Sequence, residues 1–181
     1  VSFFVAPVQA QDAPKGLPTA VIVRGPEVGQ RAPQFALQWA TKDTIAPVGE
    51  PFRLADNLGK VVVLAFYPRD FTRGCTAQFQ EFAKRRDELF GPDVVVVGIS
   101  ADSLHSHQRF ARSLDLPFML LSDPDQAVSR KYGSAGDAGL NRRTVYVLSP
   151  DGKVAWRDMG FIAVDPKAYQ ELGRAVAAAR K

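Results

Sequence analysis

Two unbroken apolar, β-branched runs constrain the fold of this chain most: "KVVVLAFY" ending at Tyr67 and "DVVVVGIS" ending at Ser100. A run with no polar alternation has no side to offer to water. Such strands are buried on both faces, as in parallel sheets covered by helices. Between the two runs the apolar period changes. Phe79, Phe82, Ala83, Leu89 and Phe90 recur at three- and four-residue steps, with Lys84, Arg85, Asp87 and Glu88 between them. That spacing predicts an amphipathic helix of about four turns.

The pattern continues down the chain. "SLHSHQRFARSL" (103–114) predicts a second helix with Leu104, Phe110, Ala111 and Leu114 inward, and "PFMLLSD" (117–123) a third strand. Gln126 to Tyr132 reads as a short helix. "RTVYVLSPDGKVAWRDMG" reads as a hairpin turning at "SPDG". The last helix opens at Asp165 as N-cap with Pro166 in its first turn. Upstream, "APQFALQWA" alternates through Phe35, Leu37 and Trp39 and predicts one strand, with a turn-rich hairpin region from there to Gly59 and a short strand at Thr19 to Val23. Alternating strands and helices followed by a hairpin give an α/β fold: a central mixed β-sheet flanked by helices on both faces.

Composition excludes some functions. The chain of 181 residues is 46% hydrophobic and carries a net charge of +4. Its basic residues are scattered, without aromatic interleaving, so no nucleic-acid surface is expected. No apolar stretch reaches ~18 residues, the minimum for a membrane-spanning helix. The first residues, "VSFFVAPVQAQDAPKG", carry an apolar run from Val1 to Val8 and a small-residue site at Val8-Gln9-Ala10. They read as the tail of a secretory signal peptide, with a strand-adding or disordered terminus as the other reading. On the first reading the chain is periplasmic or secreted and starts near Gln11 after cleavage; residues 1–27 are signal remnant and lead-in, and 28–181 form one domain.

Cys75 is the only cysteine. It follows the first buried run and opens the first helix. Ligand sites collect at the carboxyl ends of strands in open α/β sheets. Free N–H groups and the positive end of a helix dipole favour a thiolate. Free cysteines are more often small buried hydrophobes, but the charged neighbourhood "PRDFTRGCT" argues for a nucleophile.

"PRDFTRGC" fits P-x-x-x-T-x-x-C through Pro68, Thr72 and Cys75, and so resembles the active-site signature of peroxiredoxins. "FYPRDFTRGCTAQF" is most similar to the bacterioferritin-comigratory, or peroxiredoxin Q, branch. The resemblance extends through "GQRAPQFAL", "VVGISADSLHSHQRFARSLDLPFMLLSDPDQAVSRKYG" and "RRTVYVLSPDGKV", about residues 28 to 160. It implies a thioredoxin-like fold and a thiol-dependent peroxidase that uses no cofactor or metal. Cys75 becomes the peroxidatic nucleophile, Thr72 the hydroxyl near thiolate and peroxide, Pro68 a shield from solvent, and Arg143 the active-site arginine. Gly74 and Gln78 join Thr72 and Arg143 around the substrate, Gln78 orienting the arginine unless it is a helix-surface residue. Arg142 is expected to point away from Arg143 by strand alternation.

Two departures shape the expectation. Arg73 stands before Gly74 where the family often has proline, which is expected to enlarge or charge the entrance. Gln80 stands where many relatives carry a second cysteine, so no resolving disulfide can form within these residues. The resemblance is therefore to a one-cysteine peroxiredoxin, monomer or homodimer, that reduces a hydroperoxide and is recycled by an external thiol, from a thioredoxin-like protein or a small molecule. The competing class is a binding or chaperone-like module on the same fold without efficient turnover. A C-x-x-C oxidoreductase lacks its second cysteine. His105 and His107 lie two apart on one helix, which does not suit a shared metal, and are expected to be solvated.

Overall fold

The computed structural model describes residues 24–180. The signal-peptide reading and the strand expected at Thr19 to Val23 lie outside the described residues. From Gln34 onward the order is β1 (Ala36–Leu37), β2 (Trp39–Ala40), β3 (Phe52–Arg53), β4 (Val62–Phe66), α1 (Arg73–Lys84), α2 (Arg86–Leu89), β5 (Val95–Ser100), α3 (Leu104–Ser113), β6 (Met119–Ser122), α4 (Ala127–Lys131), β7 (Thr144–Leu148), β8 (Val154–Asp158) and α5 (Pro166–Ala179).

Both apolar runs form interior strands of one mixed sheet, ordered β2-β6-β5-β4-β7-β8. The crossovers through α1 and α3 keep β4, β5 and β6 parallel, while β2, β7 and β8 pair antiparallel. Alternation sends the side chains of the β4 region to two cores. Val61, Val63, Ala65 and Tyr67 meet Phe79 and Phe82 of α1, Phe110 of α3 and Leu172 of α5. Val62, Leu64 and Phe66 meet Phe35, Phe52 and Leu54 of the N-terminal segment, with Val128 and Tyr132 around α4. Helices therefore lie on both faces, and the architecture is the thioredoxin-like one that the family resemblance implies.

The "SPDG" turn joins β7 to β8, with Gly152 in the left-handed region (φ 77°). Asp165 caps α5 by accepting the Lys167 N–H at 2.9 Å. Three expectations need correction. "APQFALQWA" is two strands: Leu37 pairs with Phe52 in a small separate sheet, and Trp39 pairs with Leu121 in the main one. The chain changes partners at Gln38, which alternation within the segment does not reveal. The first helix breaks at Arg85 (φ −104°, ψ 21°), where the guanidinium turns to Glu88 at 3.0 Å and lies over Tyr169. His105 is exposed as expected, but His107 is fully buried. It shares a helix face with Phe110 and Ala111, three and four residues on.

Gly98 of β5 lets α1 approach the sheet. A Cβ there would lie 2.6 Å from Leu120 Cδ2 and 2.8 Å from Phe79 Cζ. Gly98→Ala is expected to lower stability by about 1–3 kcal/mol through overpacking, seen as a lower midpoint in denaturant unfolding. An unchanged midpoint would contradict this close packing.

Candidate active site

The site is assembled by the end of β4. Phe66 pairs with Thr144 of β7, so the residue before Thr144 lies beside the chain that leaves β4 toward α1. That residue is Arg143, and its carbonyl accepts the Phe161 N–H at 3.1 Å, which fixes its backbone. From Pro68 to Thr72 the chain turns sharply. Phe71 takes a left-handed backbone (φ 61°), a conformation costly for a non-glycine residue.

Thr72 is extended (φ −77°, ψ 147°) and stands at the N-cap of α1. Its carbonyl takes the first intrahelical bond, from Thr76 N–H at 2.8 Å. The N–H groups of Arg73, Gly74 and Cys75 precede that bond and have no partner within the helix. The buried stripe of α1 is Cys75, Gln78, Phe79 and Phe82. Steps of three, one and three residues keep all four on one helical face. Phe79 anchors it against Tyr67, ring centroids 4.7 Å apart, and against Phe110 at 6.0 Å.

Cys75 is wholly buried, and Arg143 Nη2 lies 3.4 Å from its Sγ. Arg143 Nη1 donates to Gln78 Oε1. Gln78 is fully buried, which removes the helix-surface alternative. Among the described residues its Nε2 has no hydrogen-bond partner. Gly74 sits against the same guanidinium: a Cβ there would be 3.1 Å from Arg143 Nη2. Among the described residues, no carboxylate comes within ion-pair distance of Arg143. Gln78 supplies a neutral acceptor instead, so the full positive charge remains available to sulfur.

The structure thus gathers Cys75, Gly74, Gln78 and Arg143. Thr72 is adjacent in the chain, but its hydroxyl donates to the Arg69 carbonyl at 3.0 Å and is exposed. Pro68 is half-buried and borders a hollow of about 170 Å³ with Arg69, Ala101, Asp102, Gly139 and Leu140. Arg142 and Arg73 are exposed, as is Gln80 on the outer side of α1. Asp70 escaped the sequence reading: it is buried in the loop and bonded to Tyr67 and His107. The one available signal was His107 on the apolar stripe of α3.

The profile of the AhpC/TSA family matches residues 28–157. The chain is 39% identical over 158 residues to a protein named as a Bcp peroxiredoxin in Coxiella burnetii, covering 82% of this chain and 97% of that one. It superposes on peroxidoxin BcpB of Mycobacterium tuberculosis with a TM-score of 0.72 and 28% identity, over 86% of this chain and 99% of that one. The bacterioferritin comigratory protein of Xanthomonas campestris, studied for alkyl peroxide reduction, gives a TM-score of 0.66 and 26% identity, over 81% and 92% of the two chains.

Gly74→Ala should push the guanidinium away from sulfur without unfolding α1, because alanine is the better helix former. The expected outcome is an unchanged or higher melting temperature together with slower reaction of Cys75 with peroxide. Unchanged reactivity would show that this close approach is dispensable.

Proposed function

We infer that Cys75 is the peroxidatic nucleophile of this chain, which belongs to the AhpC/TSA family and is a thiol-dependent peroxidase. The observation that carries the assignment is the Arg143 guanidinium 3.4 Å from a buried sulfur in the first turn of α1. A binding module without peroxide chemistry has no need of that contact.

The thiolate attacks one peroxide oxygen in line with the O–O bond. That bond breaks, its electron pair goes to the other oxygen, and a proton completes water or an alcohol. Sulfur loses two electrons and becomes the sulfenic acid. Arg143 stabilises the ionised sulfur before attack and the charge on the departing oxygen during it. The unpaired N–H groups of Gly74 and Cys75 add donors at the same place. The Thr72 proton is committed to the Arg69 carbonyl, so the hydroxyl oxygen is free to accept from the peroxide O–H. Gln78 holds the guanidinium in register with sulfur. Pro68, at the turn out of β4, shields the thiolate from solvent.

Substrates on this reading are hydrogen peroxide and organic hydroperoxides. With no second cysteine available and Gln80 exposed on α1, recovery falls to an external thiol. Its sulfur attacks the sulfenic sulfur and water leaves. A second thiol then cleaves the mixed disulfide and returns Cys75. A thioredoxin-like protein or a small thiol fits this role, and the working unit is a monomer or homodimer.

Stopped-flow oxidation by hydrogen peroxide and by an alkyl hydroperoxide tests the assignment. Cys75→Ser is expected to abolish turnover with dithiothreitol as reductant. Arg143→Ala should lower the second-order rate by at least about tenfold, ~1.4 kcal/mol of transition-state stabilisation. Arg142→Ala should stay close to wild type. Turnover that survives in Cys75→Ser would end the assignment, and equal small losses at both arginines would remove Arg143 from it.

A further inference from the structure

The reaction leaves unused a buried polar cluster beside the active-site loop. Tyr67 ends the β4 segment, Asp70 belongs to the loop carrying Pro68 and Thr72, and His107 comes from α3; all three are buried. Tyr67 donates its hydroxyl to Asp70 Oδ1 at 2.7 Å. His107 Nδ1 lies 3.0 Å from Asp70 Oδ2, 3.2 Å from Oδ1 and 3.3 Å from the Tyr67 oxygen. His107 Nε2 lies 3.1 Å from the Leu121 carbonyl.

These contacts count the protons. A carbonyl only accepts, so Nε2 carries a hydrogen. A neutral ring then has a bare Nδ1, and a bare Nδ1 against an ionised Asp70 sets two lone pairs face to face. Satisfaction needs one more proton, on Nδ1 or on Oδ2, shared along their contact. Burial, reinforced by Asp70, pushes the Tyr67 phenol well above its usual range, so it stays a donor. The remaining charged group facing the cluster is Asp102, whose Oδ2 accepts the Asp70 N–H at 2.9 Å and the Ser100 hydroxyl at 2.7 Å. Among the described residues, no lysine or arginine pairs with Asp70 or Asp102.

The cluster also bears mechanically on the thiol. Helix α3 grips the loop twice, through His107 on Asp70 and through Phe110 against the Phe71 ring, centroids 5.1 Å apart. The second grip falls on Phe71 itself, whose backbone is left-handed, and α1 begins two residues later. We propose that Asp70, His107 and Tyr67 are positioning residues whose shared proton latches the active-site loop onto α3 and so places Thr72 to Cys75 for reaction. The proposal rests on the peroxidase reading of Cys75. It adds that loss of the proton loosens the loop, and that the same latch limits access of an external thiol to the buried sulfur.

Two substitutions at one position separate the latch from simple packing. Asp70→Asn can accept from Tyr67 through its amide oxygen and donate its amide to a neutral His107 Nδ1, which keeps the grip without the titrating proton. Asp70→Ala removes the grip. The reaction of Cys75 with hydrogen peroxide is followed from about pH 5 to about pH 10, and alkylation by iodoacetamide at neutral pH reports exposure of the thiol. Asp70→Ala is expected to react with peroxide on the order of tenfold more slowly and with iodoacetamide faster than wild type. Asp70→Asn should stay within about threefold of wild type at neutral pH. Wild type should lose rate on the alkaline side and Asp70→Asn should not. If Asp70→Ala does not fold, Tyr67→Phe should give a weaker form of its two changes. Wild-type behaviour of Asp70→Ala in both reactions, or an unaltered alkaline loss in Asp70→Asn, would overturn the proposal. A wild-type chain inert to peroxide defeats the peroxidase reading itself, and the iodoacetamide arm still reads the latch.

Discussion

Burial of β4 on both faces and pairing along both of its edges is the constraint on which the rest of the structure depends. Phe66 sits between Ile99 of β5 and Thr144 of β7. A strand so enclosed releases its chain only at its end. There the outgoing chain, the start of α1 and the residue preceding β7 must meet. The sheet register thus brings a thiol and a guanidinium together across 68 residues of sequence.

What happens at that meeting is decided by charge. Among the described residues the half-buried Arg143 guanidinium has no carboxylate partner, which is unusual because an uncompensated buried charge is costly. Gln78 and Cys75 are the polar side chains it touches. Gln78 contributes a dipole and no charge, so the positive charge of Arg143 faces the Cys75 sulfur without a carboxylate between them. A glutamate at position 78 would satisfy the guanidinium more fully and leave less of its charge facing the Cys75 sulfur. On the proposed peroxidase reading, the neutral amide gives up some local stability in favour of reactivity at Cys75. The unpaired Gln78 Nε2 is part of the same arrangement, since turning the amide to satisfy it would withdraw the acceptor from Arg143.

Much of this was legible in the sequence. Apolar runs announce strands buried on both faces because nothing polar interrupts them, and the Asp165-Pro166 start of α5 follows from local hydrogen bonding. Gln78 stays open in the sequence between the site and the helix surface; the structure buries it in one stripe with Cys75, Phe79 and Phe82. Other features depend on partners distant in sequence. Gln38 separates two strands only because β1 and β2 pair with different segments. At the break, the Arg85 guanidinium meets Glu88 and Tyr169, the latter a partner from α5 far along the chain. His107 reads as a surface histidine until Asp70 supplies a buried acid for it, and Asp70 reads as one more charge in a charged loop until α3 covers it. Polar residues become interior when their partners arrive from elsewhere, and periodicity carries no record of that.

The most direct measurement is the mass of the reduced chain after one equivalent of hydrogen peroxide without reductant, with dimedone trapping on a parallel sample. A monomer carrying a single added oxygen, trapped by dimedone at Cys75, is the expected product. An unmodified chain would contradict the assignment of Cys75 as nucleophile. A covalent dimer joined through Cys75 as the main product would contradict the one-cysteine cycle, because the sulfenic acid would then be resolved by the same thiol of a second chain.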